Sequence, residues 1–422
     1  MRADRLRRGG GVACAAVWFG LGGFAAVSCG STARDGQRRS HDATTAAGPE
    51  RPTHDAVPAL PTRVYFVSPS GNDAGDGSPT RPWRTIGHAA LRAGPGSVVR
   101  VRAGQYRGPI VLGRSGGPGR RISFVSDIRW GARITATSSR SLGVVQLNGD
   151  YVDLEGFDIT GRGGDGTVGI AMQGSYQGAI ANLVHDVTVA CDGGLNGGAG
   201  IVAGSGNPDY RNHDLDIVGN IVHDVVGAPN RRCGGVQGIY AAVPRVQVVN
   251  NIAYRNAHDC ITSWHAATEL TIVNNTVADC PAAGITVGSG DSGAGPRGNH
   301  DTFVANNLVY RNRQGIVETT DGRHRMGPGN RYMNNLVFAS GPLAAFRPGH
   351  NLYRGAVVSG TVGADPRLMT GDRSYRLTDG SPAIDAGTST RAASSDFEGE
   401  SRPQGQGVDI GAYEWRPAPP TP

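Results

Sequence analysis

Ala181-Asn182-Leu183-Val184-His185-Asp186 is the first of six related phrases that decide how this 422-residue chain folds. The others are Gly219-Asn220-Ile-Val-His-Asp224, Asn250-Asn251-Ile-Ala-Tyr-Arg-Asn256, Asn274-Asn275-Thr-Val-Ala-Asp279, Asn306-Asn307-Leu-Val-Tyr-Arg-Asn312 and Asn334-Asn335-Leu-Val-Phe338, with a weaker copy at His350-Asn351. The asparagine of the phrase recurs after 38, 31, 24, 32, 28 and 16 residues. A fixed phrase on a variable period of this size is typical of a solenoid whose turns carry insertions.

A second phrase, glycine followed by isoleucine, lies between the copies of the first. It occurs at Gly169-Ile170, Gly200-Ile201, Gly238-Ile239, Gly284-Ile285 and Gly315-Ile316, and once with cysteine, at Cys260-Ile261. Strands this short cannot bury a face alone, so each must lie against the coils above and below it. Stacked coils would also align the asparagines, whose side-chain amides can bond to one another. The sequence therefore predicts an all-β fold, a right-handed parallel β-helix.

The body of this β-helix is predicted to span residues 62–415. Its N-terminal cap, residues 62–112, contains an amphipathic segment from Ile86 to about Ala93, which predicts a short helix across the open end of the solenoid. A C-terminal cap is predicted over residues 363–415, followed by a tail, 416–422. Residues 30–61 are polar and without periodicity, which predicts a flexible linker.

Residues 1–29 are predicted to be a signal peptide. Four arginines precede an apolar run over residues 12–24, and small residues lead from it to Cys29. Ala26-Val27-Ser28-Cys29 resembles a bacterial lipobox, although the first position of that motif is usually leucine. Lipidation of Cys29 is therefore predicted, with plain cleavage nearby as the alternative. In either case the protein is predicted to be bacterial and extracellular or attached to the cell surface.

The charge of the chain limits its partners. All 41 basic residues are arginine, so no lysine is available as a catalytic base. The net charge is +6, of which the signal peptide contributes +3. The remaining charge is too small to indicate a nucleic-acid partner. The chain is predicted to be a monomer that contacts a membrane only through a lipid anchor.

Both ends of the body carry motifs that indicate a family. They are Tyr65-Phe-Val-Ser-Pro-Ser-Gly-Asn-Asp73, Pro82-Trp-Arg-Thr-Ile86 and Gly104-Gln-Tyr106 near the start, and Ser381-Pro-Ala-Ile-Asp-Ala-Gly387 and Val408-Asp-Ile-Gly-Ala-Tyr-Glu414 near the end. This arrangement resembles secreted β-helix proteins of the pectin-lyase-like superfamily, including polysaccharide lyase family nine and several β-helix glycosidases. The resemblance implies a polysaccharide partner and a groove along one strand face, walled by loops.

The Gly-Ile strands are predicted to form that face, because insertions flank them on both sides. Strand alternation places Val202, Tyr240, Thr262, Thr286 and Val317 outward. Tyr240 and Trp264 are predicted to stack on sugar rings, and Arg232 and Arg323 to bind a carboxylated sugar. Each of these residues also has a structural interpretation, since exposed arginines and aromatics often serve no site.

Asp259 and Glu318 are predicted as the acid/base carboxylates of the trough, assisted by His258 and His265. The dipeptide His258-Asp259 lies out of register with His185-Asp186 and the equivalent pair in the next repeat, which we interpret as structural. Burial and proximity are expected to raise the pKa of one carboxyl into the range of a general acid. Asp291 and Asp321 are the alternatives.

Four cysteines remain after the signal peptide: Cys191, Cys233, Cys260 and Cys280. In an exported protein they suggest two disulfides with three possible connectivities, of which we favour Cys191–Cys233 and Cys260–Cys280. No Cys/His spacing for zinc is present.

The sequence indicates the cofactor and the activity less directly than it indicates the fold. The resemblance to family-nine lyases implies a lysine base and calcium held by acidic residues, but this chain has no lysine and no tight aspartate cluster. No cofactor is therefore predicted, and calcium is left open. Arg232 or Arg323 would replace the lysine in a lyase. The sequence predicts a polysaccharide lyase or glycoside hydrolase, with a non-catalytic glycan-binding or structural β-helix as the alternative.

Overall fold

A computed structural model describes residues 63–136, 142–161, 168–189, 197–204, 210–228, 233, 235–290, 292–338, 355–369 and 374–416. Nearly all of its regular structure is strand. Three sheets, which we name A, B and C, contain these strands, and every pairing between the strands is parallel.

The bounds of the elements follow, sheet by sheet. Sheet A contains β1 (Arg63–Val67), β2 (Ser97–Val101), β5 (Ile122–Ser126), β8 (Val152–Glu155), β11 (Gly178–Ile180), β14 (Leu215–Val218), β18 (Val246–Val249), β21 (Thr271–Val273), β24 (Phe303–Ala305), β27 (Arg331–Met333) and β29 (Val357–Ser359). Sheet B contains β3 (Gly104–Arg107), β6 (Ala132–Ala136), β9 (Asp158–Gly161), β12 (Leu183–Val189), β15 (Ile221–His223), β19 (Ile252–Tyr254), β22 (Thr276–Ala278), β25 (Leu308–Tyr310) and β28 (Leu336–Phe338), with β16 (Val226–Gly227) beside β12. Sheet C contains β4 (Ile110–Leu112), β7 (Gly143–Leu147), β10 (Val168–Met172), β13 (Gly197–Ala203), β17 (Gly235–Ala241), β20 (Ile261–Ser263), β23 (Ala283–Ser289) and β26 (Gln314–Thr320). Helix α1 spans Ile86–Arg92, and a 3₁₀ segment spans Ser292–Arg297.

Each coil runs from sheet A through the asparagine turn to sheet B, and then through sheet C to the next strand of sheet A. The isoleucines of the second phrase stack in register from Ile170 to Ile316, and all of them are buried. This confirms the predicted parallel β-helix, in which each short strand is completed by the coils on either side.

In three coils the glycine before the isoleucine, at Gly169, Gly200 and Gly284, lets sheet C approach sheet B. A Cβ at Gly200 would lie 2.4 Å from Val222 Cγ1, and one at Gly284 would lie 2.4 Å from Val309 Cγ1. Any side chain would therefore push the two sheets apart. The Gly-Ile phrase marks this close approach and not a turn.

Cys260 occupies the glycine position in one coil, and its disulfide with Cys280 accounts for the exception. In the neighbouring coils an asparagine amide faces the glycine, as Asn256 does at Gly238. Cys280 occupies the place of that asparagine, so both members of the contact are replaced together. The predicted Cys260–Cys280 pairing is confirmed. Cys233 is also disulfide-bonded, but Cys191 lies outside the described residues, so their pairing stays a prediction.

The second asparagine of each turn forms a continuous ladder inside the β-helix. The backbone N–H and the side-chain amide of each one donate to Oδ1 of the next, at 2.9–3.1 Å, in the order Asn182, Asn220, Asn251, Asn275, Asn307 and Asn335. All six are buried. Buried amides are stabilising only when they are bonded, so each coil depends on its neighbours.

Asn275→Leu is expected to lower the free energy of unfolding by about 1 to 3 kcal/mol, because it leaves the backbone N–H of Asn251 buried without its acceptor. The midpoint of thermal unfolding measures this loss. Gln105→Leu, at an exposed position of β3, is the control that should change it little. Equal midpoints for the two variants would contradict the ladder.

The first asparagine of each Asn-Asn turn does not join the ladder, and its side chain binds the C-terminal part of the chain instead. Asn250, Asn274, Asn306 and Asn334 have left-handed backbone angles, and their amides donate to the carbonyls of Ser395, Asp409, Thr388 and Ala386 respectively. We name residues 374–416 the C-terminal segment. It runs along the asparagine turns of four coils, so the predicted C-terminal cap includes a segment that covers the flank of the β-helix. Coils without this contact have Ala181 or Gly219 at the same position.

Apolar packing holds the C-terminal segment on the outer face of sheet B. Tyr375, Phe397 and Tyr413 pack with Ile252 and Tyr254. A second cluster joins Leu377, Ala383 and Ile410 to Leu308 and Leu336. These outward residues of sheet B are apolar because they are covered.

Arg402 is the polar centre of the C-terminal segment. Its side chain is fully buried and pairs with Glu414, which is equally buried. The guanidinium also donates to the carbonyls of Ser395, Asp409 and Gly411 and to Oδ1 of Asn250. One side chain thus joins three parts of the segment to an asparagine turn.

The stability of the C-terminal segment is expected to depend on pH through Asp409. Burial raises the pKa of Asp409 to about 6, against an ordinary value of 3.8. The folded state therefore binds the proton more tightly, and the contribution of Asp409 to stability falls as pH rises from about 4 to 6. Asp409→Asn should remove this fall. The difference in unfolding midpoint between the parent and Asp409→Asn is expected to shrink or reverse from pH 4.5 to pH 7, about the limits of this window; an unchanged difference would contradict it.

Helix α1 lies at the start of the body, as the sequence predicts. Thr85 begins it, with a side-chain oxygen that accepts the backbone N–H of His88, while Ile86 and Ala89 are buried. None of the helices in the described part of the chain is long and apolar enough to cross a membrane.

Candidate active site

The outer face of sheet C carries a row of residues in register, which we name the outward row. Val202 aligns with Tyr240, Tyr240 with Thr262, Thr262 with Thr286, and Thr286 with Val317. These residues alternate with the buried isoleucines, so the predicted orientation of the row is confirmed. Tyr240 is partly exposed, and the other four residues of the row are buried. We refer to this face of sheet C, the predicted floor of the groove, as the trough. Insertions follow β23 and β26 on one side of it, the first containing the 3₁₀ segment.

Asp259 lies at the N-terminal edge of this face and contacts the outward row directly. Its side chain is buried, with the residue 5% exposed. Oδ2 accepts the hydroxyl of Thr262 at 2.9 Å, and Oδ1 accepts the backbone N–H of Ala283 at 2.8 Å. His258 Nδ1 lies 3.4 Å from Oδ2, and its ring is half-exposed. The two residues form a hydrogen-bonded pair, which we name the couple. Asp259 is held in place by its partners, and His258 is accessible to solvent.

The charges of this couple are set by the contact between its members. Burial alone would raise the pKa of Asp259, but donors from His258, Ala283 and Thr262 outweigh it and lower that pKa. The hydrogen bond to Asp259 in turn raises the pKa of His258. Asp259 is therefore an ionised carboxylate at neutral pH. The expectation of a raised carboxyl pKa is wrong for this residue, because the bonds to the charged form prevail.

Glu318 lies on the opposite side of sheet C from the trough. It aligns with the buried Val287 and is 4% exposed. Oε1 accepts the hydroxyl of Tyr332 at 2.6 Å and the amide of Asn330 at 2.9 Å. Burial and this carboxylate raise the pKa of Tyr332 far above its ordinary value. Glu318 points into the core because strand alternation continues through β26, so the structure does not bring it together with Asp259 in the trough.

Trp264 lies flat on the backbone of the next coil. A Cβ at Gly288 would be 2.1 Å from its ring, and a Cβ at Gly290 would be 1.7 Å from it. Only glycine at both positions leaves room for the indole. Trp264 is half-buried, with one face on the backbone of β23 and the positions beyond it.

His265 joins two tyrosines at the other edge of the trough. It stacks on Tyr210 with ring centroids 4.4 Å apart, and its edge meets Tyr240 at 6.0 Å. We name Tyr210, Tyr240, Trp264 and His265 the aromatic platform. Sequence reasoning missed Tyr210, because it lies in an insertion where no repeat register assigns a side chain to a face. Its aromatic character in a predicted wall of the groove was the only available signal.

Arg323 is exposed on a turn after β26. Asp321 holds this turn, since its Oδ1 accepts the backbone N–H groups of Arg323 and His324, each at 2.9 Å. These bonds, with the imidazole of His324, lower the pKa of Asp321 to about 2. The Asp321 carboxylate therefore stabilises the turn. Arg232, Asp291 and Cys29 lie outside the described residues, so their predicted roles stay predictions.

The two His-Asp dipeptides that follow the asparagine turns, His185-Asp186 and His223-Asp224, lie away from the trough. His185 and His223 stack on the outer face of sheet B, with ring centroids 5.3 Å apart. His185 Nε2 is 2.9 Å from Asp158 Oδ1, and its Nδ1 is 2.8 Å from Asp186 Oδ2. Both ring nitrogens are thus engaged, which agrees with the structural interpretation. Among the described residues, no group of three His, Cys, Asp or Glu side chains could hold a metal ion.

Comparisons with known proteins relate this geometry to a fold. No family model matches the chain. The uncharacterized protein YwoF of Bacillus subtilis (strain 168) is 37% identical over 59 residues, which is 14% of this chain and 13% of that protein, so the match spans a small part of the relative. The crystal structure of pectate lyase Pel9A superposes with a TM-score of 0.59 at 16% identity, covering 84% of this chain and 96% of that one. The chain has the right-handed parallel β-helix fold.

A second solved structure, a rhamnogalacturonan lyase, matches with a TM-score of 0.46 at 16% identity and covers 71% of this chain and 87% of that one. At 16% identity the likeness to pectate lyase Pel9A concerns the fold alone. The residues that perform any chemistry must therefore be argued from the trough itself.

Proposed function

We propose that this β-helix protein is a carbohydrate-active enzyme that cleaves an extracellular polysaccharide in the trough on sheet C. The observation that supports this most is the couple of His258 and Asp259, which borders the outward row. A strand face with an aromatic platform and a few polar groups along its edges is suited to an extended sugar polymer.

The couple supplies a proton-transfer group. Asp259 is fixed by Thr262 and Ala283, so it can orient His258 through Nδ1 and leave Nε2 for the substrate. A base oriented by a buried carboxylate is a recurrent catalytic arrangement. Asp259 also stabilises the imidazolium that forms when His258 takes a proton. In this proposal His258 acts on the substrate and Asp259 acts through His258.

β-Elimination fits these groups better than hydrolysis. Hydrolysis by acid and base needs two carboxylates on either side of the bond, and among the described residues Asp259 is the carboxylate that contacts the outward row. In elimination, His258 removes the proton next to the sugar carboxyl group, a carbon–carbon double bond forms, and the bond to the glycosidic oxygen breaks. That oxygen takes a proton from solvent and leaves as a hydroxyl. The substrate is then a polyuronate.

Two groups are proposed to hold this substrate. The aromatic platform offers ring faces to the apolar faces of sugars. Arg323, exposed on its turn at the end of β26, supplies the cation that pairs with a sugar carboxylate.

Incubation with a panel of soluble polysaccharides tests this function. The panel contains polygalacturonate, alginate, xylan and a neutral β-glucan. Elimination is expected to release both reducing ends and the ultraviolet absorbance of an unsaturated sugar, from one of the two uronates. Reducing ends without that absorbance would indicate a hydrolase. Retardation in a polysaccharide gel without any product would favour the non-catalytic alternative. The absence of both product and retardation would overturn the proposal.

Location is a separate proposal that depends on residues 1–29. We propose export of the chain and lipidation of Cys29, because a basic start, a short apolar run and small residues lead to that cysteine. Mass spectrometry of the N-terminal peptide from a bacterial host tests this. A chain that begins at a diacylated Cys29 is expected, and an unmodified N-terminus elsewhere would contradict lipidation.

A further inference from the structure

Positive charge is concentrated at the N-terminal end of the β-helix. Residues 63–133 carry twelve arginines against three aspartates, a net charge of +9. Residues 134–422 carry 21 arginines against 27 acidic residues, a net charge of −6. The modest total charge of the chain hides this separation. Strong asymmetry of this kind indicates a surface that meets a polyanion.

Four of these arginines surround the connection between α1 and β2. Arg63 and Arg120 border a cavity of about 330 Å³ beside Gly94 and Pro95. Arg92 ends α1, and Arg114 donates to the carbonyl of Leu91 at 3.0 Å. We name Arg63, Arg92, Arg114 and Arg120 the basic end. All four side chains are exposed, and within the described part of the chain none lies at ion-pair distance from a carboxylate.

One large apolar side chain lies beside these charges. Leu91 is 72% exposed and precedes Arg92, the last residue of α1. Exposure of this leucine to water does not stabilise the fold. A mixture of arginine and exposed aliphatic side chains is typical of protein surfaces that lie on a lipid interface, where the charge meets headgroups and the apolar groups enter the boundary layer.

We propose that the basic end docks on an anionic lipid surface. Each arginine near such a surface adds to the affinity, and the attraction decays within a Debye length, so four clustered arginines are needed for a useful effect. A soluble polyanion would be attracted by the charge but would gain nothing from Leu91. This proposal does not depend on the enzymatic one or on lipidation of Cys29.

Docking in this way would orient the trough. Four steps along sheet C separate β4, in the first coil, from β17, which carries Tyr240. At about 4.8 Å per step Tyr240 lies roughly 19 Å from β4 along the axis of the β-helix, and Val202, one strand nearer, lies roughly 14 Å from it. The surface would therefore hold the protein by one end and leave the trough free.

Sedimentation with lipid vesicles tests the proposal. The full chain is mixed with vesicles of phosphatidylcholine alone, or with about one third phosphatidylglycerol added to supply negative charge. Binding is expected to be stronger to the anionic vesicles and to weaken as salt is raised. Arg63→Glu combined with Arg92→Glu should weaken binding to the anionic vesicles at least about tenfold.

A matched variant at the other end controls for total charge. Arg331→Glu combined with Arg367→Glu makes the same change at exposed positions of the last coils. Both variants keep residues 1–62, so any membrane contact of those residues contributes equally. The control should bind like the parent. The proposal is overturned if both variants lose affinity alike, if neither does, or if the two kinds of vesicle bind equally. Leu91→Ser should weaken vesicle binding, whereas binding to soluble polyphosphate should not change. If neither binding changes, charge alone attracts the vesicles; if both weaken, Leu91 does not distinguish lipid from a soluble polyanion. Either result overturns docking on lipid.

Discussion

Asp259→Asn is expected to lower turnover at least about a hundredfold, the effect typical of disabling a group used in proton transfer. The asparagine can keep the bond from the backbone N–H of Ala283, so the strand should stay in place. What it loses is the negative charge that orients His258 and stabilises its protonated form. Initial rates on the substrate identified from the polysaccharide panel measure the effect.

The pH profile separates this role from a merely structural one. Asp259 raises the pKa of His258, so the parent enzyme should become active only above a raised value, where His258 is neutral and able to accept a proton. Without the carboxylate the pKa of His258 should return toward its ordinary value. The acidic limb of the residual activity is therefore expected to move to lower pH in Asp259→Asn.

Asp186→Asn is the matched control. It makes the same change in a His-Asp dipeptide on sheet B, where His185 lies against a second aspartate, Asp158. Turnover and pH profile should equal those of the parent. Full turnover in Asp259→Asn would refute the proposed couple, and equal losses in both variants would indicate a general effect on the fold.

Arg402→Leu is expected to lower the free energy of unfolding by about 3 to 5 kcal/mol. The arginine and Glu414 are both fully buried, so removal of one partner leaves a buried carboxylate without its counterion. The carbonyls of Asp409 and Gly411 lose a donor in the same step. Denaturant unfolding followed by circular dichroism measures the change.

Arg376→Leu controls for the loss of an arginine from the same segment. Arg376 pairs with Glu398 on the surface, where both side chains are well exposed, and such pairs contribute at most about 1 kcal/mol. The C-terminal segment of Arg402→Leu, but not of Arg376→Leu, should become accessible to limited proteolysis. A small and similar change in both variants would mean that Arg402 does not hold the segment.

The fold could be predicted from the sequence because successive coils repeat the same short sequence phrases. The asparagine and Gly-Ile phrases each mark one position of the coil, and stacking turns a one-dimensional register into neighbours in space. The Cys260–Cys280 disulfide was predictable for the same reason. The doubled asparagines were visible too, but the sequence alone does not say that the first of each pair binds the C-terminal segment.

The candidate site was predictable only where it shares that register. Tyr240 and Thr262 lie in the outward row by alternation, and His258-Asp259 stood out because it lies out of register with His185-Asp186 and His223-Asp224. Glu318 was wrongly predicted to lie in the trough because it was selected for its carboxylate. Strand alternation along β26 places its side chain on the inner face, beside Val287. The lowered pKa of Asp259 depends on donors from three different positions, and a linear sequence does not reveal such a meeting.

The doubled asparagines also bear on how long this protein can be. The C-terminal segment contacts Asn250, Asn274, Asn306 and Asn334, which recur once per coil at intervals of about 4.8 Å. An extra coil inserted among these four would move the contact points beyond the reach of a segment of fixed length. A coil inserted between Arg129 and Asn220 would separate Arg129 from the ring of Phe397 in the same segment, which it contacts at 4.5 Å. The segment thus acts as a ruler, which fixes the number of repeats along the part of the solenoid that it contacts.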